Sequence, residues 1–215
     1  MKIISLNVGR PRLVLDRGRQ VSTGIFKSPV AGPLMLRKLN FDGDRQADLN
    51  NHGGVNKAVY AYPSEHYEFW RGELPGYELS LGIFGENLTT EGLFEGEARI
   101  GDHFRVGGAI VKVAQPRIPC YKLGIRFGRD DMPRRFLASS RSGIYFAVVE
   151  EGLVNPGDAI ERIGQGESSV TVADVNRAFV HSRENPDLLR RIVESEILPP
   201  NLHQDFVERL ATVEA

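Results

Sequence analysis

A mainly β fold of barrel or sandwich type, followed by a small all-α segment, is what the sequence predicts, and three observations predict it. Short apolar runs recur along the first three quarters of the chain, the best of them Ile3–Val8, Val21–Phe26, Leu34–Leu39, Val59–Tyr62, Ile110–Ala114 and Ile144–Val149. Glycine and proline, 23 and 12 in number, punctuate these runs as turns between short strands require. Beyond Gly164-Gln165-Gly166, a short polar hinge, apolar residues fall instead at three- and four-residue spacing, the period of amphipathic helices.

Taken in order, Met1–Gly9 reads as a strand and not a signal peptide, because Ser5 and Asn7 interrupt an apolar stretch already too short for that role. Pro63–Trp70 reads as a helix, with Ser64 as N-cap and Tyr67, Trp70 and Leu74 on one face. Asp131–Leu137 is a second helix start, Asp131 capping and Pro133 in the first turn. Past the hinge, Thr171 with Asp174 three residues on has the spacing of a capping box, and Val172, Val175, Ala178 and Phe179 follow. Asn185-Pro186 opens the next helix, carrying Leu188, Leu189, Ile192 and Val193, and Leu202, Phe206, Val207 and Leu210 stripe a third after Pro199-Pro200. The division expected is residues 1–164 as a cofactor-binding β domain and 168–215 as a three-helix domain. Fewer than fifty residues make a marginal bundle, so this tail should lean on the larger domain or on a partner.

Composition narrows the function classes. The 215 residues are 41% hydrophobic and 26% charged with a formal net charge of −1, which suits a globular chain with a sizeable core and gives no general basic field for nucleic acid. No stretch approaches the ~18 apolar residues of a membrane span. One cysteine forms no internal disulfide, so the expected compartment is the reducing cytoplasm.

That cysteine, Cys120, lies in Gln115-Pro116-Arg117-Ile118-Pro119-Cys120-Tyr121-Lys122-Leu123. Two prolines stiffen the backbone ahead of the sulfur, and Arg117 and Lys122 bring two cations that favour the thiolate. A free cysteine is also commonly a small buried hydrophobe, so the residues alone leave inert core, reactive thiol and metal ligand open. The five histidines are scattered, with no pair at helical spacing and no neighbouring cysteine, so zinc, haem and iron–sulfur sites lack ligands. Neither a Walker-type nor a dinucleotide-binding glycine fingerprint is present. A hydrolytic cysteine would need a histidine beside it in space, and no local signature supplies one.

Four further segments are dense in residues that bind. They are Thr23–Val30, Asp42–Tyr60 with its His52-Gly53-Gly54 turn, Phe84–Leu88, and Ser140–Tyr145. Together with the cysteine segment they read T-G-I-F-K-S-P-V, G-D-x-Q-A-D-L-x-x-H-G-G-x-x-K-A-V-Y-A-Y-P, F-G-E-N-L-T-T-E-G, Q-P-R-x-P-C-x-K-L and S-G-x-Y. In that order the sequence resembles the MOSC-domain family (molybdenum-cofactor sulfurase C-terminal domain), in its bacterial YiiM type with a C-terminal three-helix domain.

The resemblance implies a β-barrel-like domain that binds the molybdenum cofactor, a molybdenum held by the dithiolene of a pterin (molybdopterin). It implies Cys120 as the protein's molybdenum ligand and catalytic residue, and a soft thiolate suits a metal already held by sulfur. Lys27, Ser28, Arg117 and Arg141 are the residues expected at the pterin phosphate, and His52, Gly53, Gly54 and Asn87 those at the pterin ring. The activity it implies is that of an oxidoreductase reducing N-hydroxylated compounds, N-hydroxylated purine bases such as hydroxylaminopurine above all, in detoxification. A chain with no flavin, haem or iron–sulfur site of its own then needs a separate NAD(P)H-dependent flavoprotein reductase. Asp44, Asp48 and Glu86 are carboxylates available as proton donors. No nucleic-acid polymer or membrane is expected as a partner, and a homodimer is compatible with the reading. The alternatives are a molybdenum-cofactor or sulfur carrier without turnover, and a metal-free redox or hydrolytic thiol.

Overall fold

The computed structural model describes residues 1–48, 53–181 and 185–214. Its centre is an eight-stranded sheet built from β1 (Lys2–Val8), β4 (Ser28–Val30), β6 (Val59–Pro63), β7 (Leu88–Glu91), β8 (His103–Val106), β9 (Ala109–Pro116), β10 (Ile144–Glu150) and β12 (Ile160–Gly164). The strand order is β12-β8-β9-β10-β6-β7-β1-β4, antiparallel except for the β6–β7 pair. Two small ribbons flank it: β2 (Arg12–Asp16) with β3 (Arg19–Thr23), and β5 (Leu34–Leu36) with β11 (Gly152–Val154).

The sheet curls toward a barrel without a closed ladder. Its β12 end reaches back to β1 through three backbone bonds: Ile160 N–H to Met1 O at 2.9 Å, Ile3 N–H to Asp158 O at 3.0 Å and Gly157 N–H to Ile3 O at 2.8 Å. These bonds satisfy donors that an open edge would leave to solvent. The mainly β, barrel-like expectation therefore holds.

Among the described residues three α-helices interrupt the strands: α1 (His66–Glu73), α2 (Tyr121–Phe127) and α3 (Met132–Ala138). They cover an aromatic cluster of Tyr60, Tyr62, Tyr67, Trp70, Phe84 and Phe136. Trp70 donates its indole N–H to Tyr62 Oη at 2.7 Å, which gives the buried nitrogen a partner. Tyr67, Trp70 and Leu74 are all buried, as the spacing predicts. The expected caps differ in detail. Glu65, not Ser64, holds the N-cap position of α1, and neither side chain caps it. Asp131 stands at the N-cap of α3, but its carboxylate is taken by Arg129 and Arg135 and makes no cap bond.

Past the hinge come α4 (Val172–Val180), α5 (Pro186–Glu194) and α6 (Pro200–Glu214). Thr171 and Asp174 form the capping box reciprocally, at 3.1 Å in each direction. The tail is docked on the barrel. Ile100 N–H donates to Val170 O and Val172 N–H to Ala98 O, both at 2.9 Å. Val172, Val175, Leu189, Ile192, Leu202 and Phe206 join the same buried cluster as the barrel's Phe104, Val111 and Phe146. At about 1.5–3 kcal/mol per fully buried aliphatic or aromatic side chain, this shared core explains how helices too short to stand alone are held. No helix among the described residues is long and apolar enough to cross a membrane.

Candidate functional site

Cys120 is half-buried at the point where β9 gives way to α2, with extended backbone at φ −121° and ψ 175°. The prolines predict a stiff loop after the strand; the structure makes that loop four residues long and ends it in a helix the sequence reading missed. The thiol faces two clefts. A narrow inner cleft of about 90 Å³ lies over the barrel. A wider outer groove of about 700 Å³ runs between the barrel and the C-terminal helices. Cys120, Lys57, Lys122, Ile118 and Tyr145 line both.

The inner cleft is strongly one-sided in charge. Lys27, Arg45, Lys57, Arg117 and Lys122 line it, and no carboxylate does among the described residues. These cations are not equivalent. Lys27 is buried with its ammonium 2.5 and 2.6 Å from the two oxygens of Asp44, and burial pulls it below the ordinary lysine range against the pull of Asp44. Arg117 donates to Phe84 O and lies over the rings of Tyr60 and Phe136, 4.9 and 5.3 Å from their centroids. Lys57 is half-buried in the field of Cys120 and Asp48, and burial again lowers its pKa against both. Lys122 is the revealing one: it is 8% exposed and makes no hydrogen bond or ion pair with the described residues. Its ammonium is open to the two clefts that the residue lines, where an anion or water can meet it.

Asp44 is a structural hub. It accepts from Lys27, from Gly9 N–H at 2.8 Å and from the Asn87 amide at 2.9 Å. A carboxylate that accepts from an ammonium and two further donors is fully engaged in holding the cleft floor together. Asn87 is equally occupied, with Oδ1 accepting from Tyr60 N–H at 3.2 Å and the amide also reaching Asn7 O at 3.3 Å. It lines the inner cleft, but as the member that ties β1, β6 and Asp44 together. Glu86 is fully buried outside both clefts. Burial raises its pKa, and Tyr67, Gly82 N–H and Thr89 all donate to one of its oxygens.

Of the residues expected from sequence, Cys120, Lys27, Asn87 and Arg117 meet in the inner cleft, while Gly53 and Gly54 line the outer groove. Ser28 sits exposed on edge strand β4, and Arg141 packs 3.7 Å over the Phe69 ring while donating to Ser139 O. Neither lines either cleft. His52 lies outside the described residues. The S-G-x-Y motif braces the site and also faces it: Tyr60 Oη donates to Ser142 O at 2.9 Å, Gly143 N–H donates to Glu95 at 2.7 Å, and Tyr145 lines both clefts. Gly143 has φ +65°, and a Cβ there would lie 2.6 Å from Ala61 O, so only glycine fits. Sequence reasoning passed over Lys57 and Arg45, which stand inside the quoted H-G-G segment without any pattern that separates them from surface cations. Lys122 carried a signal, being two residues from the only thiol.

Comparison with known proteins agrees with this architecture. A family model described as the MOSC domain matches residues 48–161, and one described as a YiiM-like, 3-alpha helix domain matches residues 170–213. The Bacillus subtilis protein YflK is 42% identical over 207 residues, spanning 96% of this chain and 93% of its own. The crystal structure of YiiM from Geobacillus stearothermophilus has a TM-score of 0.80 at 33% identity, over 97% of this chain and 98% of that one. A Gibberella moniliformis protein named Reductase is 31% identical over 165 residues, 75% of this chain and 29% of its own length. Matched through most of its barrel by the first family model and through its tail by the second, the chain belongs to the MOSC-domain family and carries the YiiM-like three-helix domain.

Proposed function

We propose that the protein binds the molybdenum cofactor in the inner cleft and, with it, reduces N-hydroxylated compounds, N-hydroxylated purine bases in particular. The observation that carries the first half is the pairing of one soft sulfur with a cationic wall whose Lys122 has no partner among the described residues. The donor set fits the group. A thiolate suits molybdenum held by other sulfurs, and ammonium and guanidinium donors suit a phosphate through charge-assisted hydrogen bonds. Cys120 would ligate the metal; Lys122, Lys57, Arg45 and Arg117 would meet the anionic end. Lys27 acts there through its pair with Asp44, and Asn87 through the order it gives the cleft floor.

When bound, this cofactor supplies two-electron removal of an oxygen atom from nitrogen. The reaction is R–NH–OH plus NAD(P)H and a proton giving R–NH2, NAD(P)+ and water, with hydride first passed to a separate flavoprotein. The protein's part is to hold the cofactor by its anionic end in the inner cleft and leave the outer groove open to substrate. The outer groove supports enzyme over carrier, since it gives Cys120 a second cleft beside the one that Lys27, Arg45 and Arg117 line. The family, and the word Reductase in the name of a partial relative, point the same way.

The test is an assay of hydroxylaminopurine consumption by protein from a host that makes the cofactor, with an NAD(P)H-fed flavoprotein as donor. Turnover that tracks molybdenum content is expected. Loaded protein that consumes no N-hydroxylated base with any donor would instead indicate a carrier.

A further inference from the structure

The outer groove differs from the inner cleft in charge: Asp48 and Asp205 line it, whereas no carboxylate among the described residues lines the inner cleft. Its cations among the described residues are Lys57 and Lys122, which belong to the shared boundary at Cys120. Beyond that boundary one wall comes from the barrel side, with Asp48, Asn56, Gln115 and Tyr121, and the facing wall from the C-terminal helices, with Phe179 of α4 and Asn201, Leu202 and Asp205 of α6. The Phe179 ring is held in place. The Arg209 guanidinium lies 4.2 Å from its centroid, Arg209 also donates to Phe179 O at 3.1 Å, and Phe206 meets it edge-on with centroids 6.4 Å apart. A ring fixed on one side by a guanidinium and still lining a groove is a ready stacking surface. Asn201 and Asp205 are four residues apart, so they share a face of α6. Both are exposed, and neither side chain has a hydrogen bond or ion pair within the described residues.

We propose that the three-helix domain is the substrate-reading wall of the site: Phe179 stacks a flat heterocycle, and Asn201 and Asp205 read its N–H-bearing edge. The inference rests on the reductase reading for the reaction, but the groove's binding preference stands apart from it. A carboxylate accepts N–H donors and repels phosphate, so the groove takes neutral free bases in preference to nucleotides. A carboxamide beside it both donates and accepts, which matches a ring edge that alternates N–H groups and bare nitrogens. The same N–OH chemistry on an anionic carrier would meet Asp205 first. In this arrangement cofactor and substrate reach Cys120 from the two clefts that it lines.

The test uses adenine, the unreactive amine product of hydroxylaminopurine, titrated calorimetrically into molybdenum-loaded wild type, Phe179→Leu, Asp205→Asn and Asp205→Ala. Phe179→Leu keeps apolar bulk, so its fold is preserved while the stacking face is lost. Adenine binding is expected to weaken about tenfold in Phe179→Leu, in keeping with the usual worth of base–aromatic stacking. Asp205→Ala should weaken it as well, and Asp205→Asn should raise the affinity for adenosine monophosphate relative to adenine. Molybdenum content should be the same in all four. Equal adenine affinity in wild type and variants, or no adenine binding by the wild type, overturns the inference. Failure of the reductase reading looks different: adenine binding would follow the pattern above while no N-hydroxylated base is reduced.

Discussion

At Cys120 and Lys122 the chain spends two reactive groups on one cleft, and their environments separate ligand binding from folding. Lys122 has no hydrogen-bond or ion-pair partner among the described residues, so Lys122→Met should leave thermal unfolding within about 0.5 kcal/mol of wild type while lowering cofactor retention. Differential scanning fluorimetry alongside metal analysis reads both effects. Lys27 behaves oppositely. Removing it strands Asp44, buried among Gly9, Asn87 and the missing ammonium, and Lys27→Met should cost about 3–5 kcal/mol by denaturant titration. Glu86 gives a pH signature. Its pKa is raised chiefly by burial, so the folded state holds a proton that the unfolded chain releases. Its stabilising contribution is therefore full below the ordinary glutamate range and is lost as pH rises through the raised value. Melting temperatures measured from pH 5 to pH 8 should fall more steeply in wild type than in Glu86→Gln, and parallel curves would remove Glu86 as the cause.

The elements show what the sequence can and cannot disclose. Strands with a strong apolar run were legible: β1, β6, β9 and β10 lie where Ile3–Val8, Val59–Tyr62, Ile110–Ala114 and Ile144–Val149 predict them. Val21–Phe26 was read too far. β3 ends at Thr23 because the chain turns at Gly24, whose missing side chain lets Arg45 O approach to 2.5 Å of where a Cβ would stand. That turn brings Ile25 and Lys27 into the inner cleft. Leu88–Glu91 lacks an apolar pattern, yet it is β7, since its pairing with β6 and β1 decides the matter and not its propensity. The helix after Cys120 was invisible for a related reason: Tyr121–Phe127 mixes Lys122 and Gly124 into its buried face, which a periodicity argument discards. Gly143→Ala tests the tightest of these local demands. The strained φ together with the contact to Ala61 O should cost on the order of 2 kcal/mol or more and loosen Tyr60 at the cleft wall.

For the whole molecule, the sequence reading located the tail but not its role. Apolar stripes predicted three helices and a need for support; the support is a core continuous with the barrel, and the groove formed at the junction follows from that docking. Which side chains face the groove depends on how α4 and α6 sit against β9, and no local pattern encodes it. Heat should therefore unfold the chain in one calorimetric transition, with Phe206→Ala lowering that single transition by about 3–5 kcal/mol of stability. Two separated transitions would mean that barrel and tail fold independently. The account as a whole turns on Cys120 as a metal ligand served by a cationic cleft. Its most direct test is the molybdenum content of wild type and Cys120→Ala purified from a host that loads the cofactor. Near-stoichiometric metal in the wild type, lost in a variant that keeps its melting temperature within a few degrees, is the result predicted. Equal molybdenum in both proteins, or none in the wild type from a host shown to load another molybdoenzyme, would contradict it.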